Sequence, residues 1–223
     1  MSMMLPIARA LLRSLGKNEW FITYTGRQVW VLHPKQEDIE LRDIGHALGH
    51  ICRFGGHTRD FYSVAQHSYH VQQIIAQRFS REVVAQIQEA GTKIGPDPFP
   101  WRVATKKELR TALMHDSTEA YLGDVIRPLK VCLPIYRYIE SIWWDVIRTR
   151  WGLCERIPTL IKYADEIAFL TERRDLIHPH HAARPWKEDS HSRVQPDARR
   201  IIPLEPKQAE SVFMSAASQV GIV

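Results

Sequence analysis

The sequence predicts an all-α single domain with one small β-hairpin near its N-terminus. Three observations support this fold class. Apolar residues recur at helical spacing through most of the chain from about residue 38 onward. Two short aromatic and β-branched runs precede them and flank a Thr-Gly pair, which is typical of a hairpin. The length of 223 residues, finally, suits one domain with a sizeable core.

The elements before residue 38 are short. We interpret residues 1–16, which contain the apolar and basic stretch MLPIARALLRSL, as an amphipathic helix rather than a signal peptide, since arginines interrupt it and no small-residue cleavage site follows. In the next stretch, WFITYTGRQVWVLHP, Thr25 and Gly26 separate the two β-rich runs and predict the turn of the hairpin.

Six helices are predicted after the hairpin, and the domain core is expected at about residues 21–178. The predicted helices are about 38–51, 63–79, 106–122, 133–151, 158–177 and 205–221, the last as a C-terminal extension. Gly152 is a plausible C-cap and Pro158 a favoured first-turn residue. Two segments interrupt the helical pattern: the Gly/Pro-rich insertion 91–101, which could close over a pocket or pack at a subunit contact, and the His-rich loop 178–191.

Composition and charge exclude several classes of protein. The chain is 44% hydrophobic and 25% charged, as is usual for a globular protein, and no apolar run approaches the ~18 residues that a membrane span needs. The net charge of +5 is spread along the chain without a dense basic block, so no stable nucleic-acid partner is expected. The three cysteines are widely separated without a CxxC pair, which favours a reduced, cytoplasmic setting.

The stretch ALMHDSTEAYLGD places ionisable groups in an otherwise apolar helix. Burying His115, Asp116 and Glu119 without partners would cost several kcal/mol. Helical spacing puts Glu119 on the same face as the other two. His115 and Asp116 diverge by about 100° around the helix, yet both can reach an ion seated between their directions. The alternative for this stretch alone is a salt-bridged helix with one core histidine.

Two other predicted helices also bring an ionisable group to an apolar face. His67 lies beside the apolar stripe of the second helix, and Asp165 lies one turn from apolar residues of the fifth. With His115 and Asp116 they make two imidazoles and two carboxylates, a set suited to Co²⁺, Mn²⁺, Zn²⁺, Mg²⁺ or Fe²⁺. The sequence therefore indicates a candidate site for a divalent metal ion.

The order His67, His115-Asp116 and Asp165 resembles the H…HD…D motif of the HD-domain metal-dependent phosphohydrolases. The surrounding stretches QHS, HDSTEAYLGD and KYADEIAFLTE resemble the nucleotidase branch, which includes 5′-deoxynucleotidases and small phage dATP triphosphohydrolases. YTGR, IGHALGHICRFGGHTRDFYSVAQHS and DVIRPLK resemble a phage and bacterial group within that branch. The resemblance covers about residues 21–174 and implies an HD-domain helical bundle whose four motif residues bind the metal.

The resemblance also implies roles for two further acidic residues. Glu119 would orient or deprotonate the attacking water, or protonate the leaving group. Asp124 keeps the E-x4-D spacing of the family and would contact the sugar or the water near the metal. The alternatives are a helix-surface glutamate and an aspartate that caps a turn.

Substrate phosphates require positive charge beyond the metal ion. Arg53 stands about where the family has an arginine, and a guanidinium suits bidentate phosphate contact. Lys130, Arg59 and Lys162 are further candidates, and for each cation the alternative is a solvated surface charge. Phe54 occupies a position where an aromatic residue, a tryptophan in the deoxynucleotidase group, crowds the 2′ carbon of the sugar, and the resemblance implies the same substrate contact for Phe54.

The function that the resemblance implies is metal-dependent hydrolysis of deoxynucleotides by an activated water. We favour cleavage of a dNTP to deoxynucleoside and triphosphate, because four candidate cations could surround a triphosphate. The alternatives are a 5′-deoxynucleotidase acting on dNMPs and a non-catalytic nucleotide-binding regulator. Cyclic-nucleotide phosphodiesterases carry extra histidines downstream of the HD pair, whereas no histidine occurs between Asp116 and Asp165 here. That function is therefore disfavoured. Family members commonly form oligomers, and the adjacent Trp143 and Trp144 favour a homo-oligomer here.

Two other groups of histidines are compatible with metal binding by residue type. His46 and His50 are four residues apart in a predicted helix, but without a third ligand we interpret them as surface or packing residues. The HPHH stretch of the loop 178–191 fits no metal-site spacing, so we interpret it as a solvated patch.

Overall fold

The computed structural model describes residues 19–89, 102–178 and 194–223. Within these residues the protein is mostly helical with one small antiparallel hairpin, as the sequence predicts. The predicted N-terminal helix 1–16, the insertion 91–101 and all of the loop 178–191 except His178 lie outside the described residues.

The hairpin consists of strands β1 (Trp20–Ile22) and β2 (Gln28–Trp30). Trp20 pairs with Trp30, and Phe21 pairs with the fully buried Val29. Gly26 has a φ of 83°, a left-handed conformation that favours glycine and closes the predicted turn. The Trp143 indole donates a hydrogen bond of 2.9 Å to the Val31 carbonyl, which fixes the hairpin to the helical core.

Nine α-helices follow the hairpin in the described residues. They are α1 (Leu41–His50), α2 (Val64–Arg78), α3 (Arg81–Glu89), α4 (Lys106–Met114), α5 (Glu119–Leu122), α6 (Arg127–Cys132), α7 (Pro134–Arg150), α8 (Thr159–Leu176) and α9 (Pro206–Val220). Single 3-10 turns occur at Gln36–Asp38 and Arg53–Gly56. Five of the six predicted helices are confirmed, whereas α3 and α6 are additional short helices.

The predicted helix 106–122 was wrong in one respect, because it is interrupted between α4 and α5. Residues 115–118 form tight turns held by i→i−3 bonds, such as Glu119 N–H to the Asp116 carbonyl at 2.9 Å. The Ala112 carbonyl, which a continuous helix would pair with the Asp116 N–H, instead accepts a hydrogen bond of 2.8 Å from His115 Nδ1. The interruption therefore changes the directions of His115 and Asp116.

Helix α2 is central to the domain and contacts α1, α3, α4, α8 and α9. Its buried face packs Val71, Ile74 and Ile75 with residues of α8 such as Ile161 and Ala164 in one apolar cluster. A second cluster joins α1, α7 and α9. Because α2 is enclosed by its neighbours, polar side chains on its inward face are withdrawn from solvent.

The adjacent tryptophans of α7 both contact this second cluster. Trp143 is fully buried and stacks on Tyr121 with ring centroids 4.3 Å apart. Trp144 is half-buried, and its indole donates a hydrogen bond to the Glu155 carbonyl. The pair does not by itself require a subunit interface, so the homo-oligomer stays a prediction. No helix in the described parts of the chain has the length and apolar character needed to cross a membrane.

The N-terminus of α4 is stabilised by a capping box. Thr105 accepts the Glu108 backbone N–H, while the buried Glu108 carboxylate accepts from the Thr105 N–H and from Arg102. The Arg102 hydrogen bond is the largest influence on Glu108 and, with the Thr105 bonds, lowers its pKa to about 2 against the opposing effect of burial.

We expect Glu108→Ala to lower the free energy of unfolding at pH 7 by about 1–2 kcal/mol, since it removes the cap and the ion pair. Because the folded pKa of Glu108 is depressed, its contribution is present above the ordinary pKa of 4.5 and is lost as the pH falls toward about 2. Urea denaturation at pH 7 and pH 3 measures both effects. Lys107→Ala, at an exposed neighbour, is the control; equal stabilities of the two variants would contradict this role.

Candidate metal centre

The four predicted metal ligands converge at one point of the structure. His67 from α2 and His115 from the turn after α4 place their Nε2 atoms 3.3 Å apart. Asp116 Oδ2 lies 3.5 Å from His67 Nε2 and 3.2 Å from His115 Nε2. Asp165 Oδ1 from α8 lies 3.2 Å and 4.0 Å from the same two nitrogens. Three elements separated in sequence thus bring two imidazoles and two carboxylates together.

Hydrogen bonds on the far side of each imidazole orient both rings. His67 Nδ1 donates to Glu172 Oε1 at 2.6 Å, and His115 Nδ1 donates to the Ala112 carbonyl at 2.8 Å. In a neutral ring these bonds assign the proton to Nδ1 and leave the lone pair on Nε2. Two nitrogen lone pairs and two carboxylates would then face one another. This donor set fits a divalent first-row metal ion, because a cation removes the repulsion between the donors.

The short distances between these side chains also shift the pKa values of the two histidines and the two aspartates. Burial is the largest influence on His115 and lowers its pKa, but Asp116 and Asp165 outweigh burial and raise the pKa to about 9. For His67 burial again lowers the pKa, yet neighbouring carboxylates raise it overall. Burial raises the pKa of Asp116 and of Asp165, and the histidines outweigh it, so both stay below their ordinary value. A metal ion that binds here would therefore have to displace protons from the cluster.

Glu172 is a site residue that the sequence reasoning missed. Its carboxylate is fully buried on α8 and accepts from His67 Nδ1 and, at 3.3 Å, from Arg53 Nη2. Burial raises its pKa, but Arg53 and His67 outweigh burial and keep the carboxylate ionised. The signal that could have found it is its spacing of seven residues after Asp165, which places both on one face of α8.

We expect Glu172→Gln to weaken metal binding by about 10- to 100-fold, since the ring of His67 would lose the anion that holds its orientation and basicity. Calorimetric titration of the chelator-treated protein with Mn²⁺ or Co²⁺ measures the affinity directly. Glu166→Gln is the matched control, because this residue lies on the same helix but forms no hydrogen bond or ion pair with the site residues in the described part of the chain. Wild-type affinity in Glu172→Gln would show that His67 needs no such partner.

Arg53 belongs to the interior of the site. Its side chain is 13% exposed, and its Nη1 lies 3.5 Å from Asp116 Oδ2 while Nη2 contacts Glu172. Burial lowers its pKa, but Glu172, Asp116 and Asp165 outweigh burial and raise it. Among the described residues its Nε atom is buried without a hydrogen-bond partner. Arg53 therefore links a predicted metal ligand to the carboxylate that contacts His67, and its Nε–H has no acceptor among the described residues.

A left-handed turn follows Arg53 directly. Phe54, Gly55 and Gly56 have φ values of 57°, 61° and 82°. A positive φ is uncommon for a residue with a side chain and costs of order 1 kcal/mol, so Phe54 is held by its surroundings. Its ring centroid lies 5.4 Å from the Arg53 guanidinium and 6.1 Å from the ring of Phe169. The predicted aromatic neighbour of the site is thus next to Arg53 in space as well as in sequence.

Glu119 and Lys130 form a pair beside the cluster. Glu119 is 5% exposed, and its Oε1 lies 3.4 Å from Lys130 Nζ. Burial, Asp116 and Asp124 raise the pKa of Glu119 well above its ordinary value. Among the described residues, Glu119 Oε2 is buried without a hydrogen-bond partner. Lys130 Nζ also contacts Glu140 at 2.8 Å, a partner that sequence reasoning missed; burial lowers its pKa, but these carboxylates raise it.

The remaining predicted site residues differ in their placement. Asp124 is half-buried, and burial is the main cause of its raised pKa, with Asp116 adding to it and Arg53 opposing it. Arg59 and Lys162 have exposed side chains, and within the described ranges neither forms a hydrogen bond or ion pair with the four ligands. Their contact with substrate stays a prediction.

Comparison with known proteins identifies relatives in two bacteria, while no family model matches the chain. The uncharacterized protein YfdR of Escherichia coli K12 is 35% identical over 192 residues, which cover 86% of this chain and 90% of YfdR. The uncharacterized protein RCAP_rcc00048 of Rhodobacter capsulatus is 33% identical over 155 residues, which cover 68% of each chain. The likeness thus extends over more than two thirds of both relatives.

Proposed function

We propose that this chain, which belongs to the family of Escherichia coli YfdR, catalyses the metal-dependent hydrolysis of deoxynucleotides. It would do so in the manner of the HD-domain phosphohydrolases that its motifs resemble. The preferred reaction cleaves a dNTP to deoxynucleoside and triphosphate. The observation on which the proposal depends is the convergence of His67, His115, Asp116 and Asp165: one oxygen of each carboxylate lies between 3.2 and 4.0 Å from the Nε2 atoms of both histidines.

These four residues would hold the metal ion. When bound, a divalent cation lowers the pKa of a coordinated water toward ~7 and neutralises charge on a phosphate oxygen. Glu172 and the Ala112 carbonyl keep the two imidazole rings in the orientation that binding needs. Arg53 compensates the negative charge of Asp116 and Glu172 inside the protein.

Glu119 is the residue best placed to move a proton. Its Oε2 has no hydrogen-bond partner among the described residues, and burial, Asp116 and Asp124 raise its pKa, which makes the carboxyl easier to protonate. In its protonated form it can donate a proton to the leaving oxygen of the ester, and in its ionised form it can take one from water. Lys130 contacts Oε1 and leaves Oε2 free for this exchange.

A specific observation also supports the second candidate, a 5′-deoxynucleotidase. Arg53 is paired with Asp116 and Glu172, and Lys130 is paired with Glu119 and Glu140. These pairs reduce the positive charge available to a triphosphate, whereas a monophosphate needs less of it. Phe54 beside Arg53 would crowd a ribose 2′-hydroxyl in either reaction.

A product assay tests the proposal and separates the two reactions. The metal-loaded full-length chain is incubated with each dNTP, rNTP and dNMP, and the products are separated by chromatography. Deoxynucleoside and triphosphate from a dNTP would support the preferred reaction, and phosphate from dNMPs alone would replace it with the nucleotidase. Nucleotide binding without turnover under every divalent metal would overturn hydrolysis in favour of a regulator. Chelator-treated protein is the control.

A further inference from the structure

Helices α1 and α9 approach each other unusually closely at two glycines. A Cβ atom at Gly49 would lie 2.9 Å from the Pro206 carbonyl oxygen and 3.1 Å from Glu210 Cβ. A Cβ atom at Gly45 would lie 2.7 Å from Met214 Sδ. Since no side chain on this face of α1 separates the helices, residues on the adjoining edge of α1 lie next to α9.

Each glycine is followed by a histidine, so His46 and His50 are one turn apart on that edge. His46 Nδ1 lies 3.1 Å from Oε2 of Glu210, although the two residues are 164 positions apart in sequence. His50 Nδ1 donates to the His46 carbonyl at 2.7 Å, which leaves its Nε2 for another partner. One potential ligand atom from each of His46, His50 and Glu210 lies within 4.8 Å of the other two.

The surroundings hold these side chains in place and leave the cluster open to solvent. The Tyr24 ring stacks on His46 with centroids 3.6 Å apart and planes 8° apart. The His46 and His50 rings lie 4.1 Å apart. His50 is exposed, whereas His46 and Glu210 are half-buried. The glutamate from α9 is the third ligand that the sequence alone did not associate with this histidine pair.

We propose that His46, His50 and Glu210 form a second metal site, which binds a divalent transition-metal ion such as Zn²⁺ at the junction of α1 and α9. Two imidazoles and one carboxylate are preferred ligands of Zn²⁺, with the remaining position open to water. The site is separate from the His67 cluster of α2 and α8 and independent of the proposed hydrolysis. Bound metal would join the C-terminal helix to α1 and stabilise the fold.

Zinc titration of the chelator-treated full-length chain tests the proposal, with calorimetric stoichiometry and thermal unfolding as readouts. We expect two ions in the wild type and one in His50→Ala or Glu210→Gln, with affinity at the lost site at least about tenfold weaker. Asp116→Ala should retain the α1–α9 site, so zinc should still raise its Tm. His33→Ala, at an exposed histidine outside both clusters, should bind as the wild type does.

Two outcomes would overturn the second site. One is unchanged zinc stoichiometry and Tm shift in both His50→Ala and Glu210→Gln. The other is loss of those effects only when the HPHH histidines His178, His180 and His181 are replaced by alanine, which would assign the zinc to that loop. Hydrolysis by His50→Ala at the wild-type rate would leave the proposed function intact in either case, so the two proposals fail separately.

Discussion

Replacement of Asp116 by alanine is expected to prevent metal binding at the His67 cluster and to abolish the proposed hydrolysis. Asp116 Oδ2 lies between His115 Nε2, at 3.2 Å, and Arg53 Nη1, at 3.5 Å. Its loss would remove a predicted metal ligand and would leave the buried guanidinium of Arg53 with one fewer carboxylate partner. Since loss of an indirect partner already costs 10- to 100-fold in affinity, loss of a ligand should cost more than about 100-fold.

The measurement is metal content after dialysis against Mn²⁺ or Co²⁺, together with phosphate or triphosphate release. Asp60→Ala is the matched control, because that aspartate is exposed and, within the described residues, a hydrogen bond reaches its backbone carbonyl but none reaches its carboxylate. Circular dichroism of Asp116→Ala separates loss of metal from loss of fold. A folded variant with wild-type affinity for the ion would remove Asp116 from the ligand set.

Glu119→Gln is expected to slow the proposed hydrolysis by about 10²- to 10⁴-fold and to leave metal binding unchanged. Glutamine keeps the size of the side chain and an oxygen that Lys130 can contact, but it cannot exchange a proton. Because Glu119 Oε2 has no hydrogen-bond partner within the described part of the chain, the change removes a reactive group rather than a structural bond. The loss should therefore appear in kcat more than in KM.

A pH–rate profile with metal content measured in parallel checks this expectation. The wild type should show an ionisation that Glu119→Gln lacks. Glu140→Gln is the control, since it alters the 2.8 Å contact of Lys130 without touching the proposed proton donor. If Glu119→Gln hydrolyses at the wild-type rate, the half-buried Asp124, whose pKa is also raised, becomes the next candidate.

The fold could be predicted from sequence to the extent that helices keep a continuous apolar stripe. Helices α7, α8 and α9 lie within a residue or two of their predicted bounds. The interruption at 115–118 could not be predicted, because apolar residues continue in helical phase into α5 as far as Leu122. The competing bond from His115 to the Ala112 carbonyl is visible only in the folded chain.

In the candidate site, too, residues marked by a local sequence pattern could be predicted, whereas contacts between distant parts of the chain could not. That the four proposed ligands lie close together could be predicted, because ionisable residues interrupt apolar faces and resemble a known motif. Glu172 was missed despite its helical spacing from Asp165, since it stands next to Arg173 and Arg174 in a stretch typical of a solvated helix end. Only the packing of α8 against α2 buries it at His67. Likewise, His46 meets Glu210 only because two glycines permit close helix contact.

The enclosed position of His67 on α2 has a consequence for how the chain reaches its folded state. His67 meets His115 from 48 residues away and Glu172 from 105 residues away. An unfolded or partly folded chain cannot present these groups together, so metal should select the folded form. An ion at 100 times its Kd would add about 2.7 kcal/mol to stability. Removal of the ion by a chelator should therefore hasten proteolysis even at bonds distant from the cluster.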